Sequence, residues 1–420
     1  MCDEDSLIHV GKNKVQRDFK CLNMFNTCKK WISCSNAQIS WWLWGTYALT
    51  IMLLKIGMEP SLGNVCTVYF QAGKRFLLEI PLYSGKFLYF PTAALFFTPF
   101  TALPFPIGAS IWRLLNLGVF IVGIYNLTKI ERTDGRKVEF LLVTIVVCLL
   151  SSSAAKHGQM TLMMAGLLML AAVNLEQSKP WRASFFMVLS FALKPIALPF
   201  LMLAAVGYQA SRFKIPALAL LLFLLPFLFR DPRYVLEQYI DVPRMLQLTS
   251  HWEYRLTFAS FFSLLQTLGV NLDESGRIIA RGLFAVTTLM AYITGKERLP
   301  EAADRCLYLY AIACGYTLLM NPVTEQNTYA ILTPAIGILW CLARNQKGKG
   351  IRLLLGLVVL ASLLSYSMSK VFPGSPLSML KPIGTVVVMA ILIWKTFSKP
   401  DVVQQKDGLN NLSAKTGRFL

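Results

Sequence analysis

Apolar and polar positions along this chain come in long blocks rather than single alternations. Apolar runs approaching the roughly 20 residues needed to cross a bilayer as a helix recur from Ser40 onward, separated by short loops that carry Lys and Arg. The runs predict spans at Ser40–Met58, Ile107–Leu127, Val138–Ser152, Met160–Leu175, Ile215–Phe229, Ile279–Thr294, Cys306–Met320, Thr328–Ala343, Ile351–Ser367 and Pro382–Phe397. Between Arg182 and Arg212 both flanks are basic, so that segment reads as two half-spans meeting at Lys194-Pro195. The expectation is an all-α, polytopic membrane bundle of about twelve spans. Its basic loops, Lys129–Lys137 and Lys296–Arg305 among them, and both termini are placed on the cytoplasmic side by the positive-inside rule.

One apolar stretch does not fit a simple span. Ser84 to Pro106 contains Pro91, Pro99, Pro104 and Pro106, and a helix usually stops before proline because the ring removes a donor and crowds the residue before it. Several short pieces are predicted, lying at the membrane surface or lining a cavity, since irregular backbone survives at membrane depth only where protein or water satisfies it. The corner Tyr89-Phe90-Pro91 then belongs to a site at the lipid–water boundary, and an amphipathic helix is expected near Thr67–Leu78. The resulting division is a tail at 1–39, a polytopic body at 40–397 with outer loops near 59–106 and 230–276, and a second tail at 398–420. Composition agrees: the 420 residues are 55% hydrophobic, with a mean hydropathy of +0.52. The net charge of +19 lies in loops between apolar runs, which fits membrane orientation better than a nucleic-acid groove. Nine cysteines are scattered without metal-ligand spacing, and no phosphate loop or dinucleotide fingerprint occurs. No metal, cofactor or nucleic-acid partner is expected.

On this topology four polar clusters face outward: Glu59 to Tyr89, His157 with Gln159, Lys194, and Glu325-Gln326-Asn327. Ionisable groups at a membrane boundary are costly and are therefore candidates for function. Lys194 suits an anion or snorkels to the headgroups. His157 is suited to proton transfer near neutral pH or is a polar residue at a helix start. Gln159 bonds a ligand or caps a helix, and Tyr69, Tyr83 and Tyr89 stack on a sugar or form an interfacial belt.

Tyr69-Phe-Gln-Ala-Gly73, Pro81-Leu-Tyr83, Phe87-Leu-Tyr-Phe-Pro91, His157-Gly-Gln159 and Ala192-Leu-Lys-Pro195 together resemble, in order and spacing, glycosyltransferase family 87, a family of GT-C integral membrane enzymes. The likeness spans roughly Val65 to Phe200 and returns at Glu325-Gln-Asn-Thr-Tyr329. It implies a multi-pass protein of the cell membrane, as in a bacterial inner membrane. The implied reaction moves a sugar, a mannose-like hexose or a pentose, from a polyprenyl-phosphate donor to a lipid-linked or cell-envelope acceptor. Tyr69, Tyr89, Pro91, Gln159, Lys194 and Asn327 become candidates for holding the donor. The family usually carries an aspartate shortly before the motif matching Tyr69-Phe70, where this chain has Asn64; asparagine takes no proton, so Glu59, His157 and Glu325 are the open choices for a base. The rival readings are an inactive, lipid-linked-sugar-binding member of the same fold and a lipid or sugar transporter.

Overall fold

The computed structural model describes residues 36–54, 65–250, 258–344, 349–372 and 375–398. Glu59 and Asn64 lie outside the described residues, as do most of the two predicted tails. Among the described residues all regular structure is helical. A helix at 36–54 (α1) opens the body, four residues earlier than expected. It is followed by α2 (Val65–Leu77), α3 (Pro91–Thr101), α4 (Phe105–Lys129), α5 (Phe140–Lys156), α6 (Thr161–Glu176), α7 (Pro180–Leu193), α8 (Leu198–Gly207), α9 (Lys214–Leu224) and α10 (Pro232–Ser250). The chain continues through α11 (Phe261–Thr267), α12 (Glu274–Glu297), α13 (Ala302–Met320), α14 (Thr333–Arg344), α15 (Lys349–Val371) and α16 (Leu380–Phe397).

Among the described residues, four helical stretches are long and apolar enough to cross a membrane: Phe105–Thr128, Gln209–Leu228, Glu274–Glu297 and Pro376–Phe397. Phe140–Lys156, Thr161–Glu176, Pro180–Leu193 and Pro195–Gly207 are apolar but shorter. The break predicted at Lys194-Pro195 is present between two short apolar helices, with Lys194 between α7 and a 3₁₀ turn at Pro195–Ala197 that leads into α8. The amphipathic α2 buries Cys66, Tyr69, Phe70, Gly73 and Phe76, three or four residues apart as one helical face requires.

The prolines of the broken stretch act differently from one another. Pro91 opens α3, and Pro104 and Pro106 open α4, where a missing N–H costs nothing. Pro99, expected to end a piece, instead sits inside α3. The carbonyl its ring leaves unpaired, that of Leu95, accepts from the Thr98 hydroxyl at 2.8 Å, so the helix runs on to Thr101.

α4 and α6 cross with their backbones in contact. A Cβ at Gly123 would stand 2.6 Å from the Gly166 carbonyl, and one at Gly166 would stand 2.4 Å from that of Val119. Only glycine at both positions permits this approach, and it brings polar side chains of α4 within reach of the start of α6. The bundle has two chemically distinct ends. At one, Arg132 and Arg136 reach Asp304 at 2.7 and 2.8 Å, Glu301 accepts from Thr133 N–H, and Arg305 pairs with Glu176. The other end carries the turns after α5, α7 and α13.

Candidate functional site

Three turns meet at that second end, and each is shaped by its own sequence. The first closes α5. Gly158 has φ +62°, Gly158 N–H donates to Ala155 and Gln159 N–H to Ala154, both at 3.0 Å; these are the paired bonds of a Schellman cap, whose left-handed residue favours glycine. α4 holds this turn from outside. Trp112 Nε1 donates to the Gly158 carbonyl at 2.8 Å and Asn116 Nδ2 to the Gln159 carbonyl at 2.9 Å, from positions four apart on one helix face. Asn116 Oδ1 also accepts from Met163 N–H at 2.7 Å, so one amide fixes both the end of the turn and the first turn of α6. The Tyr69 hydroxyl accepts from Met160 N–H at 3.3 Å, with its ring stacked on Phe97 at 4.8 Å.

The second turn is Lys194-Pro195. Pro195 forces Lys194 out of the helical region, to φ −143° and ψ 107°, which ends α7 and aims the side chain into the gap before α8. Lys194 is 8% exposed, and its ammonium donates to the Thr161 hydroxyl. The third turn follows α13, where Pro322 holds Asn321 extended. Thr324 Oγ1 donates to the Asn321 carbonyl at 3.1 Å. Lys381 Nζ and Ser365 Oγ tie Gln326 to α16 and α15 at 2.8 and 3.0 Å. Glu325, just before these anchors, points back toward the first turn.

Gln159 Nε2 donates to Glu325 Oε2 at 2.6 Å, and Thr161 Oγ1 donates to Gln159 Oε1 at 3.2 Å. A hydrogen-bonded chain thus runs from the Lys194 ammonium through Thr161 and Gln159 to the Glu325 carboxylate, every donor pointing the same way. The three turns enclose a cavity of about 260 Å³ lined by Tyr89, Gln159, Lys194, Asn321, Glu325 and Thr328, with apolar walls that include Ile196 and Met245. The Glu325 charge acts on both Lys194 and Tyr89. A buried cation, a carboxylate, an amide and an aromatic ring around one space form a set able to hold a phosphorylated polyol and take a proton from a second hydroxyl.

The family model for glycosyltransferase family 87 matches residues 87–322, more than half of the chain. This chain belongs to glycosyltransferase family 87. Membership makes it a membrane glycosyltransferase. The family segment carries Tyr89, Pro91, the His157–Gln159 turn, Lys194 and α10; the Tyr69 motif lies before it and Glu325 three residues after it. No individual curated protein matches the chain significantly.

Of the residues singled out from sequence, Tyr89, Gln159, Lys194 and Glu325 come together at the cavity. Tyr69 is wholly buried behind it. Pro91 starts α3. His157 caps α5 through its main chain, and its carbonyl faces the Cys66 thiol at 3.6 Å, while Asn327 falls in the 3₁₀ segment Gln326–Leu332; neither lines the cavity. Sequence reading missed Thr161, Asn321, Thr328 and Met245. Thr161 was within reach, two residues from Gln159 in one polar stretch; Met245 gives no local signal, since its position depends on where α10 folds back.

Proposed function

We propose that this family member transfers a sugar, mannose or a similar hexose or pentose, from a polyprenyl-phosphate donor to a hydroxyl of a lipid-linked or envelope acceptor, at the outer face of a multi-pass membrane body. The observation that carries the proposal is the meeting of Lys194, Gln159 and Glu325, from three separate turns, around one cavity beside Tyr89. The acceptor oxygen attacks the anomeric carbon and the carbon–oxygen bond to phosphate breaks. The lipid phosphate departs carrying the bond's electron pair, and the acceptor's proton passes to the Glu325 carboxylate. Lys194 stabilises the phosphate through a charge-assisted hydrogen bond, and Gln159 orients the carboxylate. Tyr89 offers a ring face to the sugar. Glu325 is favoured over His157 because it lines the cavity.

Transfer from radiolabelled polyprenyl-phosphate mannose, and in parallel from a pentose-bearing donor, into a membrane lipid extract tests the reading in the wild type, Glu325→Gln, Glu59→Gln and Asn64→Asp. Loss of a general base costs on the order of 100-fold or more, and that loss is expected in Glu325→Gln. A Glu325→Gln variant with full turnover removes Glu325 from the mechanism, and collapse in Glu59→Gln instead assigns the base there. An inert wild type with an active Asn64→Asp establishes the non-catalytic member.

A further inference from the structure

The wall of the cavity supplied by α10 bears on a problem every such transferase faces: water is a competing acceptor, and a donor sugar beside an activated base hydrolyses unless water is kept out. The first half of α10 is firmly attached. Tyr234 OH donates to the Ile80 carbonyl at 3.0 Å, Gln238 Oε1 accepts from Leu82 N–H at 2.8 Å, and Tyr239 OH donates to the Phe223 carbonyl at 2.9 Å. Pro243 lies inside the helix and removes the bond that its N–H would give the Tyr239 carbonyl. Beyond this break, the next turn carries Met245 and Leu246 into the lining of the cavity that Lys194 and Glu325 also line. Met245 is 6% exposed although α10 is one of the more polar helices of the chain. Methionine is unbranched and adapts to whatever shape it covers.

We infer that Met245, with Leu246 beside it, is the water-excluding cover of the donor site and sets the partition between sugar transfer and donor hydrolysis. The inference rests on the transferase reading above. In the side reaction a water oxygen bonds to the anomeric carbon, the bond to phosphate breaks, lipid phosphate leaves, and the water's proton passes to Glu325. Free sugar is released in place of glycosylated acceptor. Truncating Met245 opens a path for that water while leaving Lys194, Gln159 and Glu325 in place.

The experiment follows free sugar and glycosylated lipid together, using polyprenyl-phosphate [¹⁴C]mannose and a total membrane lipid extract, with the wild type, Met245→Ala and Met245→Leu. Met245→Ala is expected to raise the ratio of free to transferred sugar by about an order of magnitude, while Met245→Leu, which keeps the bulk, stays near the wild-type ratio. A purely structural role lowers both products together, so an unchanged ratio in Met245→Ala overturns the inference while leaving the transferase reading standing. If every form, wild type included, releases neither product, the transferase reading fails and the inference with it.

Discussion

Lys194 and Glu325 carry opposite charges beside one cavity and are joined through two neutral side chains, Thr161 and Gln159. A directly closed ion pair would occupy the cation that a phosphate needs. Here the ammonium is satisfied by a hydroxyl and the carboxylate by an amide, both weaker partners than an opposite charge, and each is replaceable by a charged or hydroxylic substrate group. The arrangement keeps a buried cation hydrogen-bonded, as burial demands, without committing it.

Lys194→Met should weaken donor binding more than folding. Methionine retains the apolar stem, and losing a charge-assisted hydrogen bond of about 1.5–3 kcal/mol lowers affinity roughly 10- to 100-fold. Titration with a short-chain polyprenyl phosphate, alongside thermal unfolding in detergent, measures the two effects separately. Equal affinity in both proteins would mean that Lys194 serves the fold alone.

Gly158→Ala should destabilise the turn that presents Gln159. A left-handed backbone costs a non-glycine residue about 1–2 kcal/mol, and the new Cβ would stand 2.3 Å from Cys66 Sγ. Combining it with Cys66→Ala should recover the part due to that contact and leave the backbone part. Strictly additive losses in unfolding of the single and double variants would contradict the packing of α2 on this turn.

The two ends of the bundle should lie on opposite sides of the membrane. Lys156 at the end of α5 and Gly135 before its start are both exposed, and the 17-residue helix spans about 25 Å at 1.5 Å per residue. With an impermeant mass-tagging maleimide on intact cells, Lys156→Cys should be modified and Gly135→Cys protected until the membrane is permeabilised. Labelling of both from the same side would refute the orientation.

The ion cluster of the opposite end predicts a dependence on acid. At Asp134, in the loop before α5, burial pushes the carboxyl upward, but hydrogen bonds from the Arg136 side chain and main chain, with the Arg136 and Arg132 charges, outweigh it and hold its pKa below the usual aspartate value. A depressed folded-state pKa contributes stability that is complete above the unfolded value and is lost as pH falls through the folded one. Asp134→Asn should therefore lower stability at neutral pH, where that contribution is complete, and flatten the acid side of the curve below about pH 4, so that the two proteins converge in acid. An unaltered acid limb in unfolding measured across that range would show that Asp134 does not take part.

Read alone, the sequence determined the elements. Blocks of apolar residues located α4, α5, α6, α12 and α16 to within a few residues, because helix length and burial in lipid are set by local composition. Pro195 marked one of the three site turns, since proline restricts backbone angles within one or two residues. The gap between the apolar runs ending at Ser152 and starting at Met160 bracketed a second. Pro99 misled because its cost was met by Thr98, a neighbour whose rotamer no pattern reveals. Only the tertiary structure decided which polar residues share a site. Gln159 and Glu325 stand 166 positions apart, and no period or spacing connects them. Their meeting depends on the glycine-permitted crossing of α4 and α6, on Asn116 clamping the turn, and on Lys381 and Ser365 anchoring the segment after Glu325. The same packing turned Tyr69 into support behind the cavity and brought Met245 onto its wall, for side-chain direction is settled by long-range contacts and not by the residues on either side.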